Sequence, residues 1–116
     1  MGGEYIPRSM SHTEILSTIQ DFGRATRHAI RSGFDGVEIH GANGYLIQQF
    51  FSPHSNRRRD HWGGSLENRM HFPLAVIAEV KRIRDLYADK EFIIGYRFSP
   101  KNRKKADWKW RIQLHW

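Results

Sequence analysis

Two short apolar runs, Phe34-Asp-Gly-Val-Glu-Ile-His40 and Glu91-Phe-Ile-Ile-Gly-Tyr-Arg-Phe98, stand far apart in a chain of 116 residues. Each is partly β-branched and is flanked or interrupted by glycine, the signature of a buried strand. The residues between them carry helical spacing. A crossover of that length joins parallel strands, whereas a hairpin needs only a few residues. Upstream, Ser11-His-Thr-Glu14 reads as a capping box, in which the hydroxyl and the carboxylate satisfy free N–H groups at a helix start. Ile15, Ile19, Phe22, Ala25 and Ala29 follow at helical spacing, predicting an amphipathic helix to about Arg31, with Gly33 as its left-handed stop. Gly44 to Phe51 fits a short helix, and Ser52 to Gly64 is a polar, arginine-rich loop. Ser65 is positioned to cap a longer helix reaching about Ala88, with Leu74, Ile77, Ile83 and Leu86 or Tyr87 on its buried face. Pro73 predicts a kink or a restart within it.

The order helix, strand, helix, strand places the chain in the α/β class with a parallel βαβ unit, and its two helix-strand pairs resemble consecutive units, about two βα units, of a partial (β/α)8 TIM barrel. In such barrels the chemistry sits at the C-terminal ends of the strands. His40 and Arg97 fall at those ends, and Asn43 and Tyr45 lie in the loop just past His40.

Composition narrows the class further. With 39% apolar residues the core is modest, and without cysteine there is neither a disulfide framework nor a thiolate metal site. The seven histidines show no metal-ligand spacing, so no metal is expected. The start of the sequence lacks the layout of a secretory signal and no apolar run has membrane-spanning length, so a cytoplasmic protein without membrane contact is expected. The net charge of +7 invites a nucleic-acid reading. Most of that excess lies in residues 101–116, where Lys101, Arg103, Lys104, Lys105, Lys109 and Arg111 face only Asp107. Three of the four tryptophans are there too, so composition changes abruptly at Pro100. We therefore divide the chain into residues 1–100 and an irregular basic tail, 101–116.

His40, Asn43 and Tyr45 stand at i, i+3 and i+5. Histidine and asparagine can donate hydrogen bonds to a carbonyl oxygen and stabilise charge that develops on it, and tyrosine can deliver a proton. On spacing alone, an ordinary strand-end histidine and a half-buried core tyrosine explain the same residues. A second dense run follows: Ser52-Pro-His-Ser-Asn56-Arg57, then Asp60-His-Trp-Gly63-Gly64-Ser-Leu-Glu67-Asn68-Arg69. We read Arg57, Asp60, Gly63, Gly64, Glu67, Asn68 and Arg69 as structural, a loop and helix start locked by carboxylate–guanidinium pairs and glycine turns.

Taken jointly, Gly36-Val-Glu-Ile-His-Gly-Ala-Asn-Gly-Tyr-Leu46, Ser-Asn-x-Arg and Gly-Gly-Ser-x-Glu-Asn-Arg resemble the old yellow enzyme family of FMN-dependent NADH:flavin oxidoreductases and ene-reductases, from about Met10 to Pro100. The resemblance implies that His40 and Asn43 bind the activating oxygen of a small alkene or carbonyl substrate. It implies that Tyr45 donates the proton and that Arg97 contacts the flavin. It further implies FMN as cofactor, with NADH or NADPH as reductant.

A (β/α)8 barrel needs about 250 residues and eight strands. This chain supplies two of those strands, so a fragment that is inactive alone and self-associates through open barrel edges is expected. The tail is expected to be disordered or the product of a frameshift or truncation. The rival reading makes residues 101–116 a basic module that binds nucleic acid or an anionic surface.

Overall fold

A computed structural model of the chain describes residues 8–42, 44–98 and 110–114, the last of these as backbone only. Helix α1 (His12–Arg31) begins at the predicted capping box: the Glu14 N–H donates to Ser11 Oγ at 3.1 Å, and the Ser11 N–H donates to Glu14 Oε1 at 2.9 Å. Strand β1 (Gly36–Gly41), the short helix α2 (Leu46–Phe51), helix α3 (Leu66–Tyr87) and strand β2 (Ile93–Phe98) follow in the expected order. Gly33, with φ +84°, ends α1 in the left-handed conformation that a residue with a Cβ rarely adopts. At the start of α3 the Ser65 hydroxyl accepts from the Asn68 N–H.

β1 and β2 pair in parallel, with Ile39 opposite Tyr96 and His40 opposite Arg97. Because side chains alternate across a strand, Ile39, Gly41, Ile94, Tyr96 and Phe98 share one face and Glu38, His40, Gly95 and Arg97 share the other. The first face is the buried one. Ile39 and Ile94 join Ile15 of α1, Ile47 and Phe50 of α2, and Phe72, Val76 and Val80 of α3 in a single core. Phe72 is its centre, stacked on Phe50 with ring centroids 4.2 Å apart and meeting Phe22 and Trp62 edge-on. Gly41 lacks a side chain for a steric reason. A Cβ there would sit 2.5 Å from the Tyr96 hydroxyl.

Three expectations are corrected. On α3 the expected Ile83 is buried and Ile77 packs half-buried against the core, but Phe72, Val76 and Val80 complete the buried face and Leu74, Leu86 and Tyr87 are exposed. Apolar residues occur on more than one side of this helix, so the pattern admits two phases, and the aromatic stack at Phe72 selects one. Of the kink or restart expected at Pro73, the restart does not occur, since α3 runs unbroken through it. On α1, Ala25 is exposed and Thr26 takes the buried place, its hydroxyl donating to Phe22 O at 2.8 Å.

The tail is not irregular throughout. Trp110–Leu114 form strand β3, which pairs antiparallel with β2 and gives the sheet order β1-β2-β3. Apolar Trp110, Ile112 and Leu114 alternate there with Arg111 and Gln113, a period-two pattern suited to a strand. No helix among the described residues is long and apolar enough to cross a membrane.

Candidate functional site

The sheet face turned away from the core carries the polar groups. His40 and Arg97 are register partners at the carboxyl ends of the two parallel strands, and Glu38 lies on the same face two residues before His40. Arg97 Nε is 3.5 Å from Glu38 Oε1, an ion pair between partly exposed groups. That distance is too long for a good hydrogen bond, and Arg97 Nε is a buried donor with no hydrogen-bond partner among the described residues. Such a donor favours an acceptor on a bound molecule.

The chain leaves β1 through Gly41 and Ala42 and returns at Gly44, whose φ of +73° turns it into α2. Tyr45 is the residue that precedes the first turn of α2. Its ring lies 4.9 Å from that of His40, tilted by 48°, and Tyr45 is 61% exposed. The alternative expectation of a half-buried core tyrosine therefore does not describe it. Asn43 lies outside the described residues. His40, Tyr45 and Arg97 are thus gathered at one end of the sheet. The imidazole-bearing and guanidinium-bearing residues are register partners, the Tyr45 ring lies tilted 4.9 Å from that of His40, and Glu38 pairs with Arg97.

The polar groups present are compatible with a flavin, the cofactor that the resemblance implies. The unmatched Arg97 Nε meets the need of an electron-rich ring edge for a fixed cation. His40 and Tyr45 can each offer a proton to an oxygen or carbon placed above them.

The second dense run forms a scaffold around α2. Arg58, half-buried, makes the contacts of this loop that Arg57 does not. It pairs with Asp60 through Nε and Nη2 at 3.1 and 2.6 Å, and Nη1 donates to Ser9 Oγ and Met10 O, each at 2.7 Å. The Arg58 guanidinium holds the Asp60 carboxyl below its ordinary value, with help from the Trp62 N–H. Arg57 is exposed and donates to His54 O at 3.2 Å. Asn68 Nδ2 donates to Gly63 O at 3.0 Å, and Gly64 takes φ +101°. Asn56, which residue spacing did not single out, is buried. Its Nδ2 donates to Phe50 O at 2.6 Å and Trp62 O at 2.8 Å, while its Oδ1 accepts from the Arg58 N–H. Its place inside the Ser-Asn-x-Arg motif was the available signal. The structural reading of this run agrees with these contacts, with Arg58 taking the part expected of Arg57.

Comparison with known proteins places this chain in a family. A sequence model of the NADH:flavin oxidoreductase / NADH oxidase family matches residues 1–109, further than the motifs alone reach. The chain is 55% identical over 98 residues to the probable NADH-dependent flavin oxidoreductase YqiG of Bacillus subtilis, covering 84% of this chain and 26% of that protein. It is 60% identical over 94 residues to the NADH:acrylate oxidoreductase of Vibrio harveyi, covering 81% of this chain and 9% of that protein. The fold matches a structure of morphinone reductase in complex with tetrahydroNAD, with a TM-score of 0.73 and 39% identity over 82% of this chain and 25% of that one. The chain spans about a quarter or less of the length of each of these proteins. The chain belongs to the NADH:flavin oxidoreductase / NADH oxidase family, the old yellow enzyme family, whose cofactors are FMN and NAD(P)H.

Proposed function

We propose that this chain is the substrate-binding and proton-donating segment of an FMN-dependent NAD(P)H oxidoreductase acting on activated alkenes, and that it works only within a completed barrel. The observation that carries the reading is the gathering of His40, Tyr45 and Arg97 at the carboxyl ends of β1 and β2. A relative named for acrylate, an activated alkene, supports the substrate class.

When bound, FMN supplies the hydride that goes to the β-carbon of the alkene, after NADH or NADPH has reduced it. His40 donates a hydrogen bond to the activating oxygen of the substrate and stabilises the negative charge that grows there. Asn43 is its proposed companion. Tyr45 gives its phenolic proton to the α-carbon, and its exposure leaves room for a substrate to reach it. Arg97 holds its charge toward the flavin, positioned by Glu38 and by pairing with β1.

Dependence on the rest of a barrel has physical support. The sheet face bearing Glu38, His40 and Arg97 also exposes Ile93, and α3 exposes Leu66, Met70, Leu74 and Leu86. Exposed apolar groups in such number mark surfaces that another element covers. Strand β3 runs antiparallel along the β2 edge that the next parallel strand of a barrel would take. Barrel completion therefore requires residues 110–114 to leave that edge. The rival reading, a basic module in residues 101–116, rests on lysines and arginines that lie outside the described side chains.

Coexpression of the chain with the remaining barrel segments of the Bacillus relative tests the proposal. Flavin absorbance is expected to comigrate with the assembled pair and not with the chain alone. Stoichiometric flavin on the chain alone, or an assembled pair without flavin, contradicts it.

A further inference from the structure

A helix of six residues cannot sustain itself, because nucleation costs more than so few hydrogen bonds return. Helix α2 is such a helix, and its start is what locates Tyr45. Packing supplies part of the answer, since Ile47 and Phe50 are buried. The rest lies in its carbonyl groups. The C-terminal carbonyls of any helix lack intrahelical partners. In α2 each of the last three receives a side-chain donor from the second dense run: Gln49 O from Ser55 Oγ at 2.8 Å, Phe50 O from Asn56 Nδ2 at 2.6 Å, and Phe51 O from Arg69 Nε at 3.0 Å. Two of these donors anchor the helix to other backbone. Asn56 Nδ2 also holds Trp62 O, and Arg69 Nη1 holds Gly64 O at 2.7 Å.

The N-terminal end is tied from within α2. Gln48 Oε1 accepts from the Gly44 N–H, and Gln49 Nε2 donates to Gly44 O at 2.6 Å. Tyr45 is therefore fixed between a glycine held by α2 and the first turn of α2. Its exposed ring has the His40 ring as its aromatic neighbour. Wherever α2 sits, the phenol follows.

We infer that Asn56 and Arg69 are positioning residues for Tyr45, acting through α2 to hold the phenol over His40. The inference rests on the reading of Tyr45 as proton donor, and it links the two dense sequence runs as a reactive segment and its clamp.

Nuclear magnetic resonance on the full chain tests it with Asn56→Asp and Arg69→Lys, with Arg57→Lys as control. Asp retains the acceptor for the Arg58 N–H but loses both donors of Asn56. Lysine keeps the charge of Arg69 but not the two-pronged reach to Phe51 O and Gly64 O. The Trp62 indole N–H, bonded to His12 Nδ1 at 2.9 Å, reports whether the fold survives. Each variant is expected to lose the cross-relaxation between the His40 and Tyr45 rings. Exchange of the Gln49 and Ser52 amides, which bond to Tyr45 O and Gln48 O, should speed up about tenfold. The Trp62 signal and the Arg57→Lys spectrum should stay unchanged. Persistence of the His40–Tyr45 signal in both variants overturns the inference. So does collapse of the Trp62 signal in both, because the residues then hold the whole fold and not Tyr45. The readout needs no flavin, so failure of barrel complementation would leave this result standing.

Discussion

His40 and Arg97 face each other across the parallel pair β1 and β2, one residue before the end of each strand. This pair is the point of the β1–β2 ladder where the polar groups gather. Glu38 lies on the same face, 3.5 Å from Arg97 Nε. Replacing Glu38 by Gln should leave the strand pairing intact while freeing the guanidinium. In the assembled barrel this should change flavin affinity more than stability. Comparing flavin dissociation with urea melts of the two forms checks it.

The core prediction follows from the phase of α3. Phe72→Ala should cost about 3–5 kcal/mol and abolish cooperative unfolding, because it empties the ring stack with Phe50. Leu74→Ala, two residues on and 51% exposed, should change stability by about 0.5 kcal/mol or less. Equal losses in urea melts would contradict this assignment of the helix faces.

Acid should weaken the N-terminal cap in a defined window. The Arg8 guanidinium and the Ser11 N–H hold the Glu14 carboxyl at about 2, below its ordinary 4.5. A carboxyl lowered on folding stabilises the folded chain above its unfolded value and loses that contribution as pH falls through the folded one. The Tm of the chain should therefore exceed that of Glu14→Gln at neutral pH, and the gap should close between pH 4.5 and about 2. A gap that stays constant down to pH 2 would show that Glu14 titrates normally.

Much of this arrangement was legible in the sequence, and the exceptions have physical causes. The capping box, the Gly33 stop and the two strands are local signals, written in residues a few positions apart, and the structure has them at the expected places. The face of α3 was legible only in part, at Ile77 and Ile83, because the place of Phe72 depends on Phe50 and Phe22 from distant elements. The contacts of Asn56 and Arg58 were hidden for the same reason, although the Ser-Asn-x-Arg motif contains both. Their partners Phe50 O, Trp62 O, Ser9 and Met10 O are brought to them only by the folded loop. The strand at 110–114 was available as alternation but masked by the charge of its surroundings.

That strand yields a prediction of its own. Deleting residues 101–116 should uncover the β2 edge and raise the fraction of chain that captures flavin when coexpressed with the other barrel segments of the Bacillus relative. The isolated truncated chain should associate with itself more strongly, as sedimentation would show. If the deletion instead removes a salt-sensitive affinity for RNA and leaves flavin capture unchanged, the basic-module reading gains.

The most direct test of the central claim is rapid-mixing kinetics on a flavin-loaded assembly, comparing the chain with Tyr45→Phe. Reduction of the flavin by NADH should proceed unchanged, while its reoxidation by an activated alkene should slow by about 10²-fold or more, since only the second step needs the phenolic proton. Reoxidation at an unchanged rate would show that Tyr45 is not the proton donor and would remove the chemical role assigned to this segment.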